Sequence, residues 1–487
     1  MSQSTSQPAP QIARIIGAAS LGTVIEWYDF YLFGSLTTII ASKFFTTTDP
    51  NKDILLWLAA YATGFMVRPF GAIVFGRVGD IVGRKYTFLI TMTIMALGTG
   101  LLGLLPTTAS IGAVAPIALV LLRLAQGLAL GGEYGGAATY IAEHSPDDKR
   151  GFYTSFIQVT ATAGFFISLI VILVTRKVVG EATFADWGWR IPFLFSFILL
   201  AVSLYIRISM AESPLYAKLK KEGKTSKNPL VESFANPENR RMVILALFGA
   251  TAGQGVVWYT GQFYVLVFLQ TLLKLDLTTS YLVVSAGLLF GAPFFVIVGR
   301  LSDQIGRKRI ILAGCLIAAL AYIPIYILMR SFGPYVDPVV HKVGDAFDNP
   351  SYSPLMLGVL VWVQVLFVTM VYGPIAAFLV ELFPTRIRYT SMSLPYHLGN
   401  GWFGGLLPVI ATYLVSLYAP TKDTPSPLGS NYIFVGLIFP IVVALMTFVV
   451  GALTLKDHKG EHFEQIGTEP LSGTDPMATD RPVTASK

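Results

Sequence analysis

The chain has 487 residues, of which 54% are hydrophobic and only 13% charged, with a mean hydropathy of +0.63. This composition excludes a soluble multidomain protein and indicates a polytopic membrane protein. The net charge of +7 does not point to nucleic acid, because the basic residues are spread over connecting segments and form no long tract interleaved with aromatics.

The polar N-terminus, MSQSTSQPAPQ, lacks a basic n-region and an A-x-A site, so no cleaved signal peptide is expected and the first apolar run is a retained helix. Twelve apolar segments follow, at approximately 13–38, 54–78, 86–105, 113–141, 152–176, 189–209, 241–272, 278–299, 310–330, 355–381, 390–418 and 431–455. At ~1.5 Å per residue each is long enough to cross a ~30 Å hydrocarbon layer. Lys and Arg concentrate in alternate connecting segments, which by the positive-inside rule puts both termini in the cytoplasm. The single cysteine, Cys315, lies inside an apolar run, so neither an intramolecular disulfide nor a cysteine-based metal site is expected.

An ionisable side chain in the bilayer costs about 2.5–3.5 kcal/mol on insertion scales, so each needs a partner, a wet cavity or a function. The first segment carries EWYDF, in which Glu26 and Asp29 are three residues apart on a shared helical face, with Tyr31 close by. The second carries Arg68 before Pro69, and the fourth carries Arg123, Gln126 and Glu133. An acid on the first helix that alternates between pairing with Arg123 and taking a proton is a coupling device. Glu133 sits in GGEYGG, whose Gly131, Gly132, Gly135 and Gly136 allow close helix packing.

Two patterns occur twice. GRVGDIVGRK, Gly76 to Lys85, returns as GRLSDQIGRK, Gly299 to Lys308. In the first copy Gly83 permits a tight turn, while Asp80 lies within reach of Arg84 or the following helix end, beside Lys85. Glu143, Pro146 and Arg150 are matched by Glu381, Pro384 and Arg388 at the same spacing. Two halves of one architecture are therefore expected, with Asp80, Arg84, Lys85, Asp303, Arg307, Lys308 and the two Glu/Arg pairs as ion-pairing gates.

The second half differs, with no charge over residues 249–268 of its seventh segment. Its seventh segment, GATAGQGVVWYTGQFYVLVF, supplies Gln254, Trp258, Tyr259, Gln262 and Tyr264, and the eleventh, SLPYHLGNGWFGG, supplies Tyr396, His397, Asn400 and Trp402. Such groups orient a small polar solute or hold a quaternary ammonium by cation–π contact. No Walker loop, H-E-x-x-H or Ser-His-Asp pattern is present, so no enzyme, cofactor or ATP-driven pump is expected. The expected units are an N-terminal six-helix bundle (1–209), a basic cytoplasmic linker (210–240), a C-terminal six-helix bundle (241–455) and a disordered tail (456–487), with an extended outer loop at about 331–354.

The chain resembles the major facilitator superfamily and, within it, the metabolite:proton symporter family. The resemblance rests on EWYDF, RPFGAIVFGRVGDIVGRK, RLAQGLALGGEYGGA, AEHSPDDKRG, WGWRIPFL, AESPLY and ELFPTRIRYTS, and extends over the twelve segments. It implies an all-α fold of twelve transmembrane helices in two six-helix bundles, alternating access, and proton-driven import of a small metabolite across a bacterial inner membrane, by a monomer. It also implies gate roles for Gly76, Asp80, Gly83, Arg84, Lys85, Glu143, Arg150, Asp303, Arg307, Lys308, Glu381 and Arg388. Proton coupling falls to Glu26, Asp29, Glu133 and Arg123, and solute contact to Arg68, Arg123, Tyr31, Gln126, Gln254, Gln262, His397 and Asn400. The tail has no heptads, unlike osmosensing members of the family, so a small organic acid is the expected solute. The alternatives are a zwitterion such as betaine or proline, and a non-transporting nutrient sensor.

Overall fold

The computed structural model describes residues 9–81, 84–132, 134–208, 231, 235–335, 349–383, 387–420 and 424–457. Side chains at 9–16 and 76–88, with those of Glu26, Glu143 and several other positions, lie outside that description, as does Glu133 entirely. The tail beyond 457 and most of the expected linker and outer loop lie outside it as well.

Each expected apolar segment coincides with a helix. In chain order these are α1 (Ala9–Ser35), α2 (Pro50–Phe75), α3 (Arg84–Leu104), α4 (Val114–Thr139), α5 (Arg150–Val179), α6 (Arg190–Ile208), α7 (Pro237–Leu272), α8 (Leu277–Ile305), α9 (Arg307–Ser331), α10 (Pro354–Leu382), α11 (Arg388–Tyr418) and α12 (Gly429–Thr454). Among the described residues nine helices are long and apolar enough to span a membrane, ten when the bent pair Glu181–Gly188 and Arg190–Val202 counts as one. Several ends carry the chemistry that starts a helix: Asp49, Asn236, Asp276 and Ser353 each accept a hydrogen bond from a first-turn N–H, satisfying a donor that has no partner inside the helix.

The helices form two six-helix bundles, α1–α6 and α7–α12. They meet where α5 packs on α8 and α2 on α11, while α1 lies against α5 and α6 within its own bundle. The chain enters α1 and leaves α12 at one end of the molecule, here termed the termini end; the opposite end is the far end.

The second copy of the repeated ten-residue motif is mostly helix rather than loop. α8 runs on to Ile305 and α9 starts at Arg307, so the connection is Gly306 alone, at φ 104°. That backbone is the left-handed region that glycine enters without a Cβ penalty. The tight turn at Gly306 brings Arg307, the first residue of α9, back to Asp303 in the last turn of α8, where the two side chains pair at 3.1 Å.

Candidate functional site

The polar side chains at the bundle interface fall into two groups, a central aromatic chamber and a charged cluster at the termini end. The chamber is built from α1, α2, α4 and α7. Arg68 follows a one-residue break in the helix at Val67 and is buried, and Gly131 on α4 packs against the Arg68 carbonyl, drawing α2 and α4 together. The Arg68 guanidinium carbon lies 4.2 Å from the Phe65 ring centre, 4.4 Å from Phe30 and 5.5 Å from Trp27. Arg123 shares the Phe30 ring at 4.5 Å and also faces Phe33 at 4.5 Å and Tyr61 at 5.0 Å. Both arginines are fully buried, with ring faces supplying part of the solvation that water would otherwise give.

The two arginines differ in their hydrogen bonds. Arg123 Nη1 donates to Gln126 Oε1 at 2.7 Å, and Gln126 Nε2 donates to Thr99 Oγ1 at 2.6 Å, which ties Arg123 to α3. Arg68 Nε and Nη2 are buried and have no hydrogen-bond partner among the described residues, as is also true of Arg123 Nε and Nη2, so the difference lies in the Gln126 tie. From the other bundle, Trp258 stacks on Tyr31 at 5.1 Å, and Tyr31 stacks on Trp27 at 5.1 Å, giving a three-ring column across the interface. The α7 backbone widens to π-helical turns over Tyr259–Tyr264, a distortion frequent at functional sites.

At the termini end, Glu381 on α10 bridges the halves. Its carboxylate pairs with Arg150 on α5 at 3.3 Å and with Arg307 on α9 at 2.8 Å. Arg150 also pairs with Asp147. The Asp303 carboxylate accepts hydrogen bonds from the Gly151 and Phe152 N–H groups, each at 2.8 Å, so the end of α8 caps the start of α5. This reach exists because a Cβ at Gly151 or Gly299 would strike the facing helix. Between this cluster and the chamber, the Tyr134 and Tyr396 rings stack at 3.5 Å, with Tyr372 and Tyr396 hydroxyls hydrogen-bonded at 2.8 Å. The far end closes without an ion pair between the bundles among the described residues. Phe263 covers Gly34, Tyr281 Oη donates to the Ser35 carbonyl at 2.6 Å, and Thr38 Oγ1 donates to Gln270 Oε1 at 3.1 Å.

Two bundles closed at both ends around a buried polar chamber form the arrangement that one well-known fold adopts, and the sequence matches it. A family profile described as Major Facilitator Superfamily covers residues 19–396. The chain belongs to the Major Facilitator Superfamily. The proline/betaine transporter of Salmonella typhimurium is 31% identical over 480 residues, covering 96% of this chain and 87% of that protein. The glycine betaine/proline/ectoine/pipecolic acid transporter OusA of Dickeya dadantii is 30% identical over 479 residues, with the same coverage of 96% and 87%. Among solved structures, that of a D-xylose-proton symporter superposes with a TM-score of 0.66 at 18% identity, covering 92% of this chain and 99% of that one. This last likeness concerns the fold.

On this superfamily scaffold the residues singled out from the sequence separate into distinct sets. Arg68, Tyr31, Arg123 and Gln126 line or brace the chamber. Asp29 is not among the groups around Arg123: it points to α6, where Ser196 Oγ donates to Asp29 Oδ1 at 2.5 Å, which corrects the expected acid–arginine cluster for that residue. Gln254 and Asn400 face each other. Their amides bond reciprocally at 3.0 and 2.8 Å within one bundle, leaving little capacity for a solute. Gln262 Oε1 accepts from Thr162 across the interface at 3.0 Å, while its Nε2 and both nitrogens of buried His397 have no hydrogen-bond partner among the described residues.

Of the expected gate residues, Arg150, Asp303, Arg307 and Glu381 form the network described above. Lys308 Nζ instead donates to the Leu455 carbonyl at 2.6 Å and the Ala452 carbonyl at 3.0 Å, holding the end of α12. Arg388 Nε donates to the Phe383 carbonyl at 3.0 Å. Gly83, Glu133 and the side chains at Gly76, Asp80, Arg84, Lys85, Glu26 and Glu143 lie outside the described residues. Sequence reading missed Trp27, Phe30, Phe65 and Tyr61 as chamber walls. Their signal was present in the clustering of aromatics beside Arg68 and within EWYDF, but aromatic positions in membrane helices usually reflect packing or interface belts.

Proposed function

We propose that this transporter is a proton-coupled symporter importing a small zwitterion of the betaine or proline class by alternating access across a bacterial inner membrane, working as a monomer with both termini in the cytoplasm. The observation that carries the reading is the buried Arg68 guanidinium, whose Nε and Nη2 have no hydrogen-bond partner among the described residues, set among aromatic rings at the bundle interface. An arginine fork suits a carboxylate, and aromatic faces suit a methylated ammonium. The transporter relatives named for proline and betaine favour the zwitterion over the organic acid expected from the sequence, and the far half adds neutral Trp258, Tyr259 and Gln262 rather than a further charge.

The proton falls to the acids of α1, Asp29 or Glu26. A carboxyl group in the hydrocarbon layer needs a partner, water or a proton, and Asp29 is held there by Ser196. One charge moving through 100 mV contributes ~2.3 kcal/mol to accumulation. The test is uptake of labelled betaine, proline and a panel of carboxylates into proteoliposomes under an inward proton gradient, with and without an uncoupler. Betaine or proline should accumulate against its gradient and stop doing so with the uncoupler. Accumulation of a carboxylate alone would overturn the zwitterion assignment, and uncoupler-insensitive uptake would overturn the coupling.

A further inference from the structure

The aromatic box best shaped for a solute's ammonium group is already filled by a cation of the chain itself. Arg68 lies over three ring faces, those of Phe65, Phe30 and Trp27, with its guanidinium carbon 4.2 to 5.5 Å from their centres. Ring faces compensate a charge but accept in-plane N–H groups poorly, and Nε and Nη2 are left without a hydrogen-bond partner among the described residues. Arg123 is the internal contrast: it has a comparable set of ring faces and its Nε and Nη2 likewise lack a partner among the described residues, but its Nη1 is tied to Gln126 and, through it, to Thr99. One arginine is anchored. The other has no such tie at Nε or Nη2 among the described residues.

We propose that Arg68 is a resident stand-in for the solute's quaternary ammonium, displaced from the Trp27/Phe30/Phe65 box when the solute enters and then engaging its carboxylate. This inference rests on the zwitterion reading and assigns that solute's two charges to two places. The exchange balances charge in a buried site. The solute brings one positive and one negative group, the ammonium takes over the ring faces, and the released guanidinium fork meets the carboxylate one methylene away. A simple cation such as choline offers nothing to the displaced arginine and leaves two positive charges side by side. A simple anion cannot fill the box that Arg68 would vacate. Occupancy therefore selects for a molecule carrying both charges at short separation.

Binding of labelled betaine and choline to the purified, full-length protein in lipid nanodiscs tests the exchange, with Arg68→Ala, Arg68→Lys, Trp27→Leu and Arg123→Gln beside the unaltered chain. The unaltered protein should bind betaine and bind choline at least a hundredfold more weakly. Arg68→Ala empties the box, so choline should bind at least tenfold more tightly than to the unaltered protein, while betaine loses at least tenfold. Trp27→Leu should weaken betaine in the Arg68 background and choline in the Arg68→Ala background. Arg68→Lys, which keeps a charge in the box but lacks the planar fork, should still exclude choline and weaken betaine; it decides the matter if the alanine variant does not fold. No gain of choline binding in folded Arg68→Ala, the same gain in Arg123→Gln, or unchanged betaine binding in Arg68→Lys would each overturn the exchange. Absence of betaine and proline binding by the unaltered protein would instead remove the zwitterion reading beneath it.

Discussion

The two ends of the chamber are closed by different physics. At the termini end, four charged side chains, Arg150, Arg307, Asp303 and Glu381, converge at 93% or more burial, and the contacts between bundles run through carboxylates. At the far end the bundles meet through Phe263 against Gly34, the Tyr281 hydroxyl on a backbone carbonyl, and the Thr38–Gln270 hydrogen bond. A buried ion network is coupled: intact, each charge compensates the others, and with one removed the remainder are under-compensated. Aromatic and neutral contacts yield in smaller steps. We propose on this basis that the termini end acts as a latch and the far end as a graded seal.

Breaking the latch should have the largest effect. Glu381→Gln removes the carboxylate that Arg150 and Arg307 share, leaving Asp147 as the ion-pair partner of Arg150 and Asp303 as that of Arg307, and loss of one partner from a buried pair costs up to about 3–5 kcal/mol. The closed termini end should give way, and a cysteine at Ser393, which is buried between the latch and the chamber, should react with an impermeant maleimide supplied from that end at least tenfold faster than in the latched protein. The single native cysteine, Cys315, is buried and leaves a low background. An unchanged labelling rate would show that the network does not hold this end. Asp303→Asn should follow at about 1.5–3 kcal/mol, the range for hydrogen bonds to charged groups. It keeps one acceptor for the start of α5 but loses the second and the charge facing Arg307, so Ser393 labelling should rise less than in Glu381→Gln.

The far end is tested by crowding. A Cβ at Gly34 would enter the Phe263 ring, so Gly34→Ala must push α1 from α7, an overpacking cost of about 1–3 kcal/mol. A cysteine at Thr162, just inside this seal, should become labelled from the far side, and Phe263→Ala in the same chain should reverse the gain. Labelling that persists after the second substitution would place the seal elsewhere.

The difference between the ends also explains what the sequence could disclose. Charged residues at matched spacing in an apolar chain are rare, so Asp303, Arg307, Glu381 and Arg150 stood out, and the structure brings these four together. Gly306 was implicit in its counterpart Gly83, because a motif that turns between two helices within a few residues needs a position free of a Cβ. The chamber was only half legible. Arg68 and Arg123 were visible as charges in apolar helices, but Trp27, Phe30, Phe65 and Tyr61 carry no signal separating a binding wall from packing. Their role depends on which of them converge on one guanidinium, and that is set by the break at Val67 and the α2–α4 approach. Asp29 failed for a related reason: spacing along α1 fixes its face, but which neighbour lies opposite that face, here Ser196 of α6, is a tertiary fact. Gln254 and Asn400 read as solute ligands because two amides on different helices look identical in sequence whether they face a cavity or each other.

The smallest effect tests whether the far end is a graded seal at all. Tyr281→Phe removes a hydroxyl that donates to the Ser35 carbonyl at 2.6 Å and changes nothing else in shape. A neutral hydrogen bond contributes about 0.5–1.5 kcal/mol net, and the carbonyl left behind retains its position at the end of α1. Labelling at Thr162 should therefore rise by about two- to tenfold, the equivalent of that range at 1.4 kcal/mol per decade, while the Ser393 rate stays constant or falls, since opening one end disfavours opening the other. A large rise would mean that this one hydroxyl is a latch in its own right and that the two ends are closed by the same physics. A parallel rise at Ser393 would mean that the two seals open together, which a carrier alternating between two access states does not allow.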